Sequence, residues 1–452
     1  MARRGASLIE TATARIDALN SQGWGVVRAA EGGRTVFVPG ALPGELVEYR
    51  VRRQQRGHHE AELLAVLEPA AGRIAPRCAH FGRCGGCALQ HLAPAAQLAV
   101  KDRELRETLR RIGKVEPRAW LEPLAGEPWG YRRRARLGAR FVHAKQRSLV
   151  GFREKLSSHV AEVEHCEVLR PEIGTLVGEL GRLLTTLSIR ERVPQIEVAV
   201  GDNRTALVLR VLVPPSGTDR ELLADFERRH GIALLLQAGR PDQLEPLSGD
   251  APELWYELPD YGLRLVFQPA DFVQVNGAMN RLLIARVLEL LELTAQARVL
   301  DLFCGLGNFT LPLGRRAAQV VGIEGDAGLI ARAQANARRN GVDNVHFHAA
   351  NLAGEEAVTR CLALAGGNGY SHVLLDPPRT GALDLLPALA RLAPRRLVYV
   401  SCHPGTLARD LGILVTRHGF TLQSAGIVDM FPHTSHVESV AVLDGPDGAL
   451  SA

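Results

Sequence analysis

At 452 residues, 46% of them hydrophobic, and with a formal net charge of +5, the chain reads as globular, with room for two or three domains and ample apolar material for their cores. No run approaches the roughly 18 apolar residues of a membrane span, and the opening MARRGASLIETATARI lacks the apolar core of a secretory signal. The expectation is a cytoplasmic protein with no membrane partner, in a compartment that keeps thiols reduced. Four of the 54 Lys and Arg residues are Lys, at 101, 114, 145 and 155. The Arg bias suits phosphate and base contacts, but a GC-rich genome produces the same bias, so clusters carry more weight than the total.

Residues 14–68 contain short alternating runs such as LVEYRVR, with Val47, Tyr49 and Val51 on one face and Glu48, Arg50 and Arg52 on the other. With GWG at 23–25 and the turn-forming PGALPGE at 39–45, this stretch predicts either an ordinary β-domain or a small barrel of the oligonucleotide-binding type. Arg52, Arg53, Arg56, His58 and His59 favour the second, as a phosphate-tracking surface. Next come three crowded cysteines in CAHFGRCGGC, Cys78, Cys84 and Cys87, with Cys166 well downstream. Four thiolates could hold zinc or an iron–sulfur cluster. Three close cysteines and one distant one favour a closed [4Fe–4S] cluster over the paired knuckles of structural zinc. Residues 94–112 predict a helix with Leu98, Leu105 and Leu109 on one face and Pro94 in its first turn. YRRRARLGARF at 131–141 is strand-like, and its four Arg at 132, 133, 134 and 136 fit either a solvated face or RNA backbone binding. The runs IEVAV, ALVLRVLV, IALLL and LRLVF between 195 and 266 indicate a central mixed domain.

The last third alternates apolar strands with helices: strands within 297–309, 319–326, 344–352, 372–379 and 397–402, and an Ala/Arg-rich helix at 327–340. This predicts a doubly wound α/β domain with ligand chemistry at the carboxyl ends of its strands. In DLFCGLGNF, Gly305 and Gly307 let the backbone approach a cofactor, and Glu324 is spaced to accept hydrogen bonds from ribose hydroxyls. A dinucleotide fits the same outline. Against it stand Asp301 before the turn, Thr310 in place of a third glycine, and Asp-Pro-Pro on the fourth strand. A cofactor without a pyrophosphate, S-adenosylmethionine, fits better.

Asp-Pro-Pro-aromatic would suggest methylation of an exocyclic amine, but Arg379 occupies the aromatic position. An amine also needs no thiol. Carbon 5 of a pyrimidine is barely nucleophilic, so a thiolate must add at carbon 6 first. Cys402, in VYVSCHPGTL, suits that step, the alternative being a buried inert thiol. A base must then remove the carbon-5 proton, and FPHTSHVESV offers Glu438.

In order along nearly the whole chain, CAHFGRCGGCALQH, YRRRARL, FQPADFVQVN, DLFCGLGNFTLP, LDPPRTGA, SCHPGTLARD and DMFPHTSHVES resemble the bacterial iron–sulfur uracil-5 RNA methyltransferases that act on 23S ribosomal RNA. The resemblance implies an α/β and β multidomain architecture. An OB-like TRAM barrel would occupy residues 1–70 and a central mixed α/β domain with the iron–sulfur cluster residues 71–265. A Rossmann-like class I methyltransferase domain would occupy 266–452, with the 94–112 helix a candidate to pack on it. It implies Cys78, Cys84, Cys87 and Cys166 as ligands of a [4Fe–4S] cluster, Cys402 as nucleophile and Glu438 as base. Gln274, Phe303, Asn308, Glu324, Asn351 and Asp376 match cofactor positions, and Phe272 and Gln274 match a segment that meets the target base. That base must be flipped out of its stack before carbon 5 can be reached. The implied partner is 23S ribosomal RNA and the implied state a monomer. Where the family commonly has Ser-Cys-Asn-Pro, this chain has His403. Cys304 is expected to be a packing thiol. Two rivals are a noncatalytic RNA-binding protein, which would be expected to lack Cys402 or Glu438, and a methyltransferase for another rRNA or tRNA uridine. Relatives acting on tRNA are expected to lack the N-terminal barrel and the cysteine cluster.

Overall fold

The computed structural model describes residues 11–28, 33–55, 57–240, 243–354, 356–365 and 369–446. The Arg56 of the basic cluster read from the sequence lies outside them. Two compact units result. The first comprises Met1–Lys101, Phe152–Ala161 and Pro432–His436, and the second Asp102–Gly151, Glu162–Phe431 and Val437–Ala452.

The first unit is built on a six-stranded sheet in the order Thr11–Arg15, Leu46–Gln54, His58–Glu68, Thr35–Val38, Gly25–Val27, Ala18–Leu19. Its strands alternate because one face is wet: Val47 and Tyr49 point into a core with Ile16, Val36, Val38, Ala41 and Ala61, while Arg52 and Arg53 are exposed. Glu45 is fully buried, so it must be paired. Burial alone would raise its pKa. Arg73, at 2.5 and 2.7 Å, and the Leu42 and Ala70 amides reverse that and hold the carboxyl below the usual range.

The second unit contains a six-stranded and an eight-stranded sheet. One runs Glu245–Pro246, Ala233–Gln237, Thr205–Arg210, Gln195–Val200, Arg134–Val142, Arg147–Gly151. The other has eight strands: Val345–Ala349, Gln319–Glu324, Arg298–Leu302, His372–Leu375, Arg396–Ser401, Glu438–Asp444, Thr421–Val428, Ala119–Trp120. Its first five are mutually parallel, and Glu438–Asp444 pairs antiparallel with strands on both sides. Parallel strands covered by helices on both faces are apolar throughout, which is why VLDL, QVVGI and LVYV read as continuous hydrophobic runs. The helix Ala327–Arg339 starts where Asp326 accepts from the Gly328 and Leu329 amides, and it buries Ile330, Ala333 and Ala337 along one stripe.

The chain from Arg298–Leu302 proceeds to Gln319–Glu324 on one side, and His372–Leu375 flanks it on the other. The crevice between those directions is where ligands bind in open α/β sheets. Behind it, the turn Leu109–Gly113 packs on the helix Pro404–His418. A Cβ on Gly113 would stand 2.6 Å from the Ala408 carbonyl, and one on Gly412 2.6 Å from the Gly113 carbonyl. Both positions therefore need glycine. Among the described residues, no helix is long and apolar enough to cross a membrane.

Candidate active site

Six of the residues singled out above lie along one edge of the eight-stranded sheet. The carboxyl ends of successive strands present Phe303, Glu324, Asn351, Asp376 and Cys402, and Glu438 begins the antiparallel strand beside them. Ser401 faces Ser439 in the ladder. Cys402 and Glu438 are therefore the next residues on the two facing strands, set opposite one another just past the last paired rung.

Electrostatics couple them. Burial first, then the charges of Glu438 and Asp376, push the Cys402 thiol above its usual range, while Arg379 works the other way. Glu438 is buried, which raises its carboxyl well above the carboxylate range; Asp376 adds to this and Arg379 opposes it. Burial moves Asp376 up to about 7. Burial thus disfavours the charged form of both groups, and one guanidinium favours ionisation of both.

The Gly-rich turn 303–308 is built by unusual backbone angles. Phe303 has φ 66, Gly305 φ 56 and Gly307 φ 94, and the Phe303 and Cys304 amides both donate to the Ile323 carbonyl. Space above Gly305 is open, with nothing within 4 Å of where a Cβ would be. Glu324 Oε2 accepts from the Gly305 amide at 3.2 Å, and Oε1 accepts from Gly325 and Asp326. Beneath the turn, a Cβ on Gly322 would be 2.9 Å from Cys304 Sγ and from the Phe347 ring. Cys304 is buried there, its thiol raised well above the usual range by burial and by Asp301. Asp301 is fully buried: Oδ2 accepts from Thr310 Oγ1 at 2.6 Å, and Oδ1 has no hydrogen-bond partner among the described residues. Burial, with Asp376 and Glu324 adding, moves it up to about 7.

An open cradle over glycine, an acid at the next strand end and a buried unsatisfied carboxyl oxygen fit a cationic nucleoside-bearing ligand such as S-adenosylmethionine. Asn351 sits beside Glu324, since the Ala350 amide donates to the Glu324 carbonyl, and its own side chain accepts from Ala353. Gln274 and Phe272, the latter 70% exposed, lie on the segment before the helix Gly277–Leu291. Asp271 ties that segment to Arg332 at 2.5 Å.

Asn308 turns out to anchor the turn. Its Oδ1 accepts from Tyr256 Oη and Asn280 Nδ2, both at 2.8 Å, and its Nδ2 donates to Asn280 Oδ1. Tyr256 and Asn280 were missed in the sequence. The signal was a Tyr on the buried face of alternating LWYEL, whose hydroxyl must find a partner. Also missed was Asp410, fully buried, which accepts from Tyr399 Oη at 2.7 Å and the Ala382 amide at 2.8 Å and so fixes the segment after Arg379. An Asp among Leu407, Leu411 and Leu414 on a buried stripe was the available clue.

The arginines of 131–141 are mostly committed internally. Arg133 is buried against Asp202 at 2.8 Å, Arg134 donates to the Pro269 carbonyl, and exposed Arg136 pairs with Glu197 at 3.0 Å. These side chains hold the second unit together rather than forming an open basic face. Cys78, Cys84 and Cys87 belong to the first unit and Cys166 to the second, all unpaired by disulfides. Gly86 N donates to Cys84 Sγ at 3.4 Å. Burial lowers the pKa of Lys155, and Cys87 and Cys84 counteract that. Among the described residues, no group of three or more His, Cys, Asp or Glu is assembled to hold a metal ion. The thiol donors themselves suit an iron–sulfur cluster.

A family profile described as tRNA (Uracil-5-)-methyltransferase matches residues 258–445. The 23S rRNA (uracil(1939)-C(5))-methyltransferase RlmD of Nitrosococcus oceani is 50% identical over 437 residues, covering 96% of each chain. That of Alkalilimnicola ehrlichii is 50% identical, covering 94% of this chain and 95% of its own. Among solved structures, the Pyrococcus abyssi tRNA (uracil-54, C5)-methyltransferase in complex with S-adenosyl-L-homocysteine superposes with TM-score 0.71 at 24% identity, over 96% of this chain and 100% of its own. That likeness concerns the fold, and it corrects one expectation: a tRNA-acting protein here aligns with the N-terminal region as well.

Proposed function

Since the chain belongs to the family of the 23S rRNA (uracil-C5)-methyltransferases named RlmD, we propose that it methylates carbon 5 of a uridine in 23S ribosomal RNA, with Cys402 as nucleophile and Glu438 as base. The observation that carries this is the placement of Cys402 opposite Glu438 at the end of one ladder, on the sheet edge that also bears the open glycine turn. Gln274, Phe303, Asn308, Glu324, Asn351 and Asp376 form the cofactor side, with Glu324 on the ribose and Asn308 holding the turn. S-adenosylmethionine, when bound, supplies an electrophilic methyl group.

Cys402 adds its thiolate to carbon 6, and the ring's electrons shift to make carbon 5 nucleophilic. After carbon 5 has taken the methyl group, the Glu438 carboxylate removes its proton. The carbon 5–carbon 6 double bond re-forms as the Cys402 sulfur leaves, returning the enzyme. Arg379 is the group that favours the thiolate and the carboxylate against burial. In this reading Phe272 stacks on the flipped base, which its exposure on the segment before Gly277–Leu291 supports.

The first-unit sheet serves as the TRAM barrel and RNA surface, and Cys78, Cys84, Cys87 and Cys166 hold a structural [4Fe–4S] cluster. The cluster reading rests on four cysteines at that spacing, none of them joined in a disulfide. The protein acts as a cytoplasmic monomer. Mapping 5-methyluridine by mass spectrometry in ribosomal RNA and tRNA from a deletion strain and its complemented counterpart tests the function. Loss from one 23S position, restored by the gene, is expected. Loss from tRNA or another rRNA would overturn the substrate, and no loss would overturn the activity.

A further inference from the structure

The nucleophile is held by the residue that follows it. His403 has φ −143 and ψ 101 and is the N-cap of the helix Pro404–His418, its Nδ1 accepting from the Thr406 amide at 3.2 Å. Its own amide donates to Ser401 Oγ at 3.2 Å. Cys402 therefore sits between a buried serine that holds the following backbone and a side chain that starts the helix. Thr406 Oγ1 lies 3.1 Å from both the His403 and the Arg379 carbonyl oxygens and can donate to one at a time. The cap thus joins the nucleophile's turn to the segment that carries Arg379.

We propose that His403 is a positioning residue: with Nδ1 as the acceptor its imidazole caps the helix behind Cys402, and loss of that cap lets the Cys402 turn and the Arg379 segment move. Accepting at Nδ1 requires the neutral ring with its proton on Nε2. Thr406 Oγ1 also lies 3.5 Å from Nδ1, so the cap engages both the amide and the hydroxyl of Thr406.

The inference rests on the methyltransferase reading for its kinetic test and on geometry alone for its spectroscopic one. Single-turnover methylation of 23S RNA by the full chain is compared for wild type, H403A and H403N at pH 8.5. Asn is a good N-cap through its side-chain oxygen. H403A should lose about fivefold in rate with RNA affinity little changed, the size expected for one lost N-cap, and H403N should recover it. H403A equal to wild type, or H403N no better than H403A, would overturn the proposal. Independently, 15N-histidine spectra, with the His403 signal assigned by its loss in H403N, should show the Nε2–H tautomer at pH 8.5. The opposite tautomer would refute the cap even in a protein that methylates nothing, whereas an Nε2–H tautomer with no methylation would defeat only the functional reading.

Discussion

Replacing Asp301 by Asn should remove a pH-dependent loss of stability from the catalytic domain. The carboxyl is fully buried beside Thr310, Asp376 and Glu324, and its pKa is moved from 3.8 to about 7. In the unfolded chain it ionises near 3.8, so between about pH 4 and 7 the native state holds a proton that the unfolded state does not. Native proteins that bind more protons than their unfolded chains lose stability as pH rises, so this contribution is full below about pH 4 and gone above about pH 7. About three pH units at ~1.36 kcal/mol each give an upper bound of about 4 kcal/mol. Asn keeps an acceptor for Thr310 Oγ1 but puts an amide in place of the unpartnered Oδ1, a cost of ~1–3 kcal/mol that is independent of pH. Urea unfolding followed by tryptophan fluorescence from pH 4.5 to 8.5 reads the difference. The D301N protein should be the less stable at pH 4.5 and should close most of that gap, or overtake wild type, by pH 8.5. Curves that stay parallel would show that Asp301 is ionised in the fold and that the reasoning from burial is wrong.

Further predictions concern the parts around that acid. Glu324→Ala should weaken S-adenosylmethionine binding by about 1.5–3 kcal/mol through loss of charge-assisted hydrogen bonds; calorimetry showing unchanged affinity would place the ribose acid elsewhere. Asp410→Ala takes the acceptor from the buried Tyr399 hydroxyl, leaves the Ala382 amide only Tyr399 Oη, and removes the carboxylate that pairs with Arg409, so thermal unfolding should show a loss of at least ~2 kcal/mol. A loss below ~0.5 kcal/mol would mean that this clamp does not hold the segment. Cys166→Ser should strip or destabilise the cluster despite its distance in sequence. Anaerobically purified wild type should carry roughly four iron atoms per chain, and iron content unaffected by the substitution would exclude Cys166 as a ligand.

The strands of the catalytic sheet were legible because burial on both faces leaves a continuous apolar signature, and the glycine turn and Glu324 because their spacing reflects one strand–turn–strand unit. Cys402 and Glu438 stood out in the sequence by residue type, but their facing arrangement depends on the antiparallel strand Glu438–Asp444. Side chains that act by pairing at a distance were not legible. Asn308 reads as a cofactor position, but nothing in its local sequence shows that Tyr256 and Asn280 hold its side chain. Arg133 and Arg134 read as an RNA face until Asp202 and the Pro269 carbonyl take them up. Only the tertiary fold decides which partner satisfies a buried polar group.

The separation of the two catalytic roles is tested most directly by Glu438→Gln. Thiolate addition and methyl transfer need Cys402 but no base, while release of the thiol needs the carbon-5 proton removed. Glu438→Gln incubated with 23S RNA and S-adenosylmethionine should accumulate a covalent, already methylated protein–RNA adduct that survives denaturing gels, and Cys402→Ala should form none. Wild-type turnover by Glu438→Gln, or an adduct formed by Cys402→Ala, would contradict the account.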